Sequence, residues 1–285
     1  MTLLDGREVA GNMLKDAATR VQNFQKQGIE PKLVVILVGG DPASEVYVKH
    51  KVKACEQTGV ISEKLLFTAE EMTTEKLINK IKELNEDKTV HGILVQLPLP
   101  AHVEAPKVIR AIDPHKDVDG FSAYNTGKVF LSTDYEDLAP CTPKGMIKLL
   151  EYYQIPVSGK EVVVVGSSNI VGKPIAIMLS NRKATVTICN SRTQNLADHT
   201  KRADILVVAI GKPKFINAEM VKEGAVILDV GINRTEDGKI CGDVDFDALK
   251  DKVSYITPVP GGVGPMTIAC LIDNVLRATE RQTNN

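Results

Sequence analysis

The chain has 285 residues, 43% of them hydrophobic and 25% charged, the balance of a globular protein long enough for two domains. A formal net charge of −1 gives no general electrostatic reason to bind nucleic acid or an anionic membrane, and no apolar run approaches the roughly 18 residues of a spanning helix. The opening MTLLDGREVAGNML has no basic stretch followed by an apolar core, so no secretory signal is expected. Cys55, Cys141, Cys189, Cys241 and Cys270 are scattered and never form Cys-x-x-Cys, and the histidines lack metal spacing. These cysteines read as reduced packing residues, and a cytoplasmic, metal-free protein is the expectation.

In chain order, residues 5–27 carry a helical stripe of Val9, Met13, Leu14, Ala17, Val21 and Phe24, ended by Gly28. KLVVILV at 32–38 predicts a buried strand closed by Gly39-Gly40, and Asp41-Pro42-Ala43-Ser44 a turn and helix start. The helix then runs to about Thr58 and gathers Ser44, Tyr47, Val48 and Lys51 within one or two turns. A strand at 64–67, a helix at 74–85 and an apolar strand GILVQL at 92–97 follow. Such alternation argues for an α/β sheet whose site lies at the carboxyl ends of the strands. Three polar residues stand out there. Lys51 is either one of a solvated lysine cluster with Lys49 and Lys53 or a functional amine. Gln96, an amide in an apolar strand, is either at a wet strand end or bonded to something specific. Asp119, in the acidic loop DPHKDVDGF, is either part of an Asp-Gly turn or a carboxylate for a ligand's paired N–H groups; the calcium-loop pattern fails for want of its final Glu.

Residues 129–139 read as a polar connector, and Pro140-Cys141-Thr142-Pro143 opens a helix, which places a domain boundary at 139/140. The stretch EVVVVGSSNIVGKP at 161–174 combines a strand buried on both faces, a glycine turn and a helix face of Ile170, Val171, Ile175, Met178 and Leu179. It lacks the G-x-G-x-x-G fingerprint, and Pro174 stands where an ATP-type loop needs a hydroxyl. A variant dinucleotide site and an ordinary βα turn both remain open for it. The next strand, at 184–189, ends in Asn190-Ser191-Arg192, with a hydroxyl and a guanidinium where an NAD site carries an acid; this favours the 2′-phosphate of NADP over NAD. Strands at 204–210 and 225–230 end at Gly211 and Gly231. PVPGGVGP at 258–265 reads as a rigid loop before a last helix at 266–280, whose apolar face is Ile268, Leu271, Ile272, Val275 and Leu276.

Taken together, VGGDPASEVYVKHKVKAC (38–55), GILVQLPLP (92–100), KDVDGF (116–121), PCTPKG (140–145), VVVGSSNIVGKP (163–174) and PVPGGVGPMT (258–267) resemble the bifunctional methylenetetrahydrofolate dehydrogenase/cyclohydrolase family of one-carbon metabolism. The resemblance covers nearly the whole chain and implies two α/β domains around an interdomain active site. Residues 1–139 would form the catalytic folate domain, rejoined by a returning C-terminal helix at 268–285, and 140–267 a Rossmann-like NADP domain. By resemblance Lys51 matches the catalytic lysine, Gln96 its partner, Tyr47 the tyrosine that stacks on the pterin, and Asp119 the pterin-binding carboxylate, expected to stay ionised. Ser44 supports the same site, and Pro260 and Gly261 contact folate. The cofactor residues implied are Thr142, Gly166, Ser167, Ser168, Ile170, Ser191, Arg192, Ala209, Ile232 and Thr267. Many members carry Gly-Arg-Ser where this chain has Gly166-Ser167-Ser168, which leaves the extra phosphate contact to Arg192. The implied reactions oxidise 5,10-methylenetetrahydrofolate with NADP and hydrolyse the methenyl product, and the implied assembly is a homodimer through the nucleotide domain.

Two rivals differ in what they need. A monofunctional NAD-dependent dehydrogenase has no use for Ser191-Arg192 together with Lys51 and Gln96. A non-catalytic dinucleotide-sensing module has no reason to keep Lys51, Tyr47, Gln96 and Asp119 together.

Overall fold

The structure, a computed structural model, describes residues 1–235 and 238–283. In chain order the elements are β1 (Thr2–Leu3), α1 (Gly6–Lys26), β2 (Lys32–Val38), α2 (Pro42–Thr58), β3 (Ile61–Phe67), α3 (Thr74–Glu86), β4 (Gly92–Val95), α4 (Ala105–Ala111) and α5 (Ala123–Leu131). Then come α6 (Cys141–Tyr152), β5 (Glu161–Val165), α7 (Gly172–Asn181), β6 (Thr185–Cys189), α8 (Leu196–Thr200), β7 (Ile205–Val208) and β8 (Val226–Asp229). The short β9 (Asn233–Arg234) and β10 (Ile240–Cys241) pair antiparallel, and α9 (Phe246–Leu249), β11 (Tyr255–Ile256) and α10 (Val263–Thr283) follow.

Two compact units share these elements. The first holds residues 11–128, 136–141 and 268–283. Its sheet is parallel in the order β3-β2-β4, with β2 in the centre and Leu33 through Val38 all buried. A strand covered on both faces needs such an unbroken apolar run. Helix α2 begins where the Asp41 carboxylate accepts the Ser44 N–H and Pro42 occupies the first turn; it ends at Gly59, whose φ of 83° suits a left-handed cap. The apolar face of α10 (Leu271, Ile272, Val275 and Leu276) packs with Leu33, Val35, Val48 and Cys55. Helix α10 therefore returns to this unit. Its Asn274, fully buried, donates to the carbonyls of Val118 and Ala139 at 2.9 and 3.1 Å, tying the helix to the loop that carries Asp119.

The second unit holds residues 1–10, 129–135 and 142–267. Six parallel strands run in the order β1-β11-β8-β7-β5-β6. The chain passes from β5 outward to β6 and then back to β7 on the other side of β5, so the topological switch point lies between the carboxyl ends of β5 and β7.

Several sequence expectations change. Residues 1–10 and 129–135 belong to the second unit, although the division at 139/140 put them in the first. Thr2 and Leu3 add a strand beside β11, and Asn181 of α7 donates to the carbonyl of Val129 at 2.7 Å. The expected connector at 129–139 starts inside α5, with Val129 fully buried. Helix α7 starts only at Gly172, so Ile170 and Val171 precede it and Ile170 faces outward, while Ile175, Met178 and Leu179 are buried. The last helix begins at Val263 rather than 266; Pro265 is tolerated because first-turn N–H groups have no intrahelical acceptor. Strand β3 starts at Ile61 rather than 64, and β4 ends at Val95.

Candidate active site

In the first unit, α2 and the end of β4 meet. Lys49 and Lys53 are exposed, but Lys51 is only 7% exposed, so it is not one of a solvated cluster. Its Nζ donates to Gln96 Oε1 at 3.1 Å. Gln96 follows β4 directly and keeps the sheet register through its N–H on the Ile36 carbonyl at 2.9 Å, while its Nε2 donates to the Leu97 carbonyl at 2.6 Å. With Nε2 turned to that carbonyl, Gln96 presents its oxygen to the lysine. Tyr47, one turn before Lys51 on α2, is half-buried, and burial raises its phenol above the usual range, so the ring is neutral. Ser44 is buried, and both its N–H and its hydroxyl bond the Asp41 carboxylate, at 2.8 and 2.7 Å. Its hydroxyl is thus committed to the start of the helix that carries Tyr47 and Lys51.

Asp119 lies within reach of the Lys51 charge. Burial pushes its carboxyl above the ordinary range; Lys51 pulls it back down and Asp117 pushes it up further. Loss of water at Asp119 thus works against the ionised form expected from the sequence, and Lys51 works for it. The loop around it is organised by Asp117, which sequence reading passed over. The Asp117 carboxylate, 1% exposed, accepts the N–H groups of Gly120, Phe121 and Ser122 at 3.1, 3.2 and 2.8 Å and the Asn125 amide at 3.0 Å. Gly120 (φ 74°) has no room for a side chain, since a Cβ would stand 2.5 Å from the Leu138 carbonyl oxygen.

The remaining candidates belong to the second unit. Gly166 ends β5 with φ of 127°, and a Cβ there would collide with the Ala209 carbonyl at the end of β7; one on Gly172 would collide with the carbonyl of Gly166. These glycines let β5, β7 and the start of α7 close up around the switch point. In the turn, Ser168 Oγ accepts the N–H groups of Val171 and Gly172 at 3.2 and 3.3 Å and so caps α7, while Ser167 is half-buried and Ile170 exposed. After β6 a tight turn holds the Arg192 N–H on Asn190 Oδ1 at 2.9 Å and leaves Ser191 and Arg192 exposed. No described carboxylate is paired with Arg192. The Ala209 N–H bonds the Val165 carbonyl at 2.8 Å. Ile232 is exposed, and its Cδ1 faces Gly264 in the first turn of α10. Thr142 and Thr267 share a hydroxyl hydrogen bond of 3.0 Å. Pro260 and Gly261 sit in the turn before α10, closed by the Gly262 N–H on the Pro258 carbonyl at 2.8 Å.

The matches to known proteins cover both units. The catalytic-domain model of tetrahydrofolate dehydrogenase/cyclohydrolase matches residues 4–119, and the model of its NAD(P)-binding domain matches 140–283. The chain belongs to the tetrahydrofolate dehydrogenase/cyclohydrolase family. It is 52% identical over 280 residues to the bifunctional protein FolD of Bacillus subtilis, with 98% of each chain covered. Among solved structures, the bifunctional FolD methylenetetrahydrofolate dehydrogenase/cyclohydrolase of Campylobacter jejuni superposes with a TM-score of 0.94 at 47% identity, covering 99% of both chains. The Trypanosoma brucei FolD complexed with NADP cofactor and an inhibitor gives 0.95 at 34% identity, covering 100% of this chain and 99% of that one.

The residues of the second unit suit NADP in kind: a glycine turn at the switch point, hydroxyls beside it and a guanidinium after β6. Among the described residues, no group of three or more His, Cys, Asp or Glu side chains is placed to hold a metal ion, and no helix is long and apolar enough to cross a membrane.

Proposed function

We propose that this chain oxidises 5,10-methylenetetrahydrofolate to the 5,10-methenyl form with NADP and hydrolyses that product to 10-formyltetrahydrofolate. The observation that carries the reading is the buried Lys51 with its Nζ on Gln96 Oε1. A buried amine held in place by an amide oxygen is positioned for proton-transfer chemistry. NADP, when bound, supplies the hydride acceptor. The residues of the first unit orient and move protons. Tyr47 offers a flat, neutral face on which a bicyclic pterin stacks. Asp119 accepts from the pterin N3–H and 2-amino groups, and those donors restore the ionised form that burial opposes. In the hydrolytic step, water adds to the cationic methenyl carbon and one proton leaves through Lys51, whose position Gln96 fixes; the C–N5 bond of the resulting carbinolamine then breaks, the hydroxyl proton passing to N5 as the formyl group forms. Hydride transfer asks this unit for orientation more than for a base.

In the second unit, Gly166 and Ser167 line the pyrophosphate turn, Ser191 and Arg192 bind the 2′-phosphate, and Ala209, Ile232, Thr142 and Thr267 pack along the cofactor. Pro260 and Gly261 contact folate. The reading includes a cytoplasmic homodimer formed through the second unit, without nucleic-acid or membrane partners. In support, β6 is an outer strand of its sheet with Ile188 40% exposed.

The test is a spectrophotometric assay with 5,10-methylenetetrahydrofolate and either NADP or NAD, alongside decay of supplied methenyltetrahydrofolate. NADP reduction together with accelerated decay is the expected result. Turnover with NAD alone and unaccelerated decay would replace this reading with the monofunctional dehydrogenase.

A further inference from the structure

Behind the carboxyl ends of β7 and β8 lie two buried carboxylates that the chemistry above leaves unused. Asp243 is fully buried. Its Oδ2 accepts the N–H groups of Ile210 and Gly211 at 2.7 and 3.0 Å, and its Oδ1 the N–H of Lys212 at 2.8 Å and the Asn233 amide at 2.9 Å. Asp229, 4% exposed at the end of β8, accepts the N–H groups of Gly231, Asp243 and Val244 at 2.9, 3.0 and 3.0 Å. The fit leaves no slack: a Cβ on Gly231 would enter the Asp243 carboxyl, and one on Gly242 the Asp229 carboxyl.

We propose that Asp243, seated by Asp229, is a positioning residue for the dinucleotide. It locks the loop after β7 and the loop after β8 into one arrangement, and so places Ala209 and Ile232 for the cofactor. Three successive N–H groups converging on one carboxylate fix the direction in which the chain leaves Ala209. The bond to Asn233 fixes the other loop one residue beyond Ile232. Apolar packing alone would hold the strands, as it does in the core around Val163, Leu206 and Ile227. Burying a carboxyl is costly unless its oxygens are hydrogen-bonded, and the Asp243 oxygens spend their bonds on the two loops at the cofactor end of the sheet.

The inference rests on NADP binding in this unit, and its test separates the two. NADP is titrated calorimetrically into the unaltered protein and into Asp243→Asn, which keeps the size but offers N–H2 to N–H donors. The NADP Kd is expected to rise about tenfold, with the KM for NADP following and kcat falling less. Hydrolysis of supplied methenyltetrahydrofolate, which needs no cofactor, should stay within about twofold. No NADP binding by the unaltered protein would defeat the functional reading itself. Binding by the unaltered protein with an unchanged Kd in Asp243→Asn, or equal loss of hydrolysis, would overturn the positioning role. Should Asp243→Asn not accumulate as folded protein, Asn233→Ala decides: it removes one bond from the clamp and should raise the Kd about threefold, and an unchanged Kd would overturn the proposal.

Discussion

The two units approach function in opposite ways. In the first, the candidate groups are side chains on or beside regular elements: Lys51 on α2 and Gln96 immediately after β4, joined by one 3.1 Å bond. In the second, the candidate groups are backbone turns and exposed ends such as Gly166, Arg192 and Ile232, and the loop of Ile232 is held by buried Asp243. Both units still rely on one device, a buried carboxylate that collects successive loop N–H groups: Asp117 in the first and Asp243 in the second. What differs is what the loop delivers. In one it carries the candidate pterin-binding carboxylate, Asp119; in the other it carries apolar surface and backbone. Substitutions in the first unit should therefore act on rates and folate binding, and those in the second on cofactor affinity and choice.

The largest expected effect tests the first half of that contrast. Lys51→Met should lower methenyl hydrolysis by about a thousandfold, within the range of general acid–base contributions, and reduce NADP-linked oxidation much less. Both rates are measured with the NADP Kd as a control. Equal loss of the two activities with cofactor binding intact would end the division of labour assigned to Lys51. Next comes Asp119→Ala, which removes charge-assisted bonds to the pterin and should raise the folate KM by about ten- to a hundredfold. Since burial raises the Asp119 carboxyl and the pterin donors need it ionised, folate affinity in the unaltered protein should rise with pH through that titration. The Asp119→Ala protein should lack the rise.

Much of this was legible in the chain. Strand β2 runs over Lys32–Val38 as its apolar run predicts, because a strand buried on both faces must be apolar at every position. Gln96 stood out as an amide in an apolar strand and Asp119 as an acid in a tight turn, whereas Lys51, between Lys49 and Lys53, was given its role only by the family motif. The failures share a cause. Helix α10 starts inside a Gly- and Pro-rich run because a first turn makes few demands on its N–H groups. Strand β1 exists only because β11, some 250 residues away, offers an edge. In the sequence Asp117 is one of several acids in its loop and Asp229 lies within the strand expected at 225–230, so neither they nor Asp243 stands out. Their importance lies in which distant N–H groups they reach, and local spacing does not encode that.

The second half of the contrast is tested by Arg192→Ala. Arg192 is exposed and has no described carboxylate partner, so its guanidinium is available for the 2′-phosphate. Its loss should cut the preference for NADP over NAD by about tenfold, with NAD-supported turnover and methenyl hydrolysis little changed. The ratio of kcat/KM for the two cofactors reads this directly, and an unchanged ratio would move the choice of cofactor away from the end of β6.

The last test concerns the clamp's own ionisation. Burial, its largest cause, together with the neighbouring Asp243 charge, pushes the Asp229 carboxyl from 3.8 up to about 7, although the N–H groups of Asp243, Val244 and Gly231 pull it down. A raised folded-state value means that the folded chain holds this proton where the unfolded chain has lost it. The stability so contributed is complete below about pH 4 and is lost as pH rises through about 7, with a slope of at most about 1.4 kcal/mol per pH unit in between. Asp229→Asn cannot titrate. Denaturant melts of both proteins across this window should therefore show unaltered protein losing stability relative to the variant as pH climbs. Parallel curves would mean that Asp229 stays ionised throughout, and that its three N–H donors outweigh both burial and the charge of Asp243.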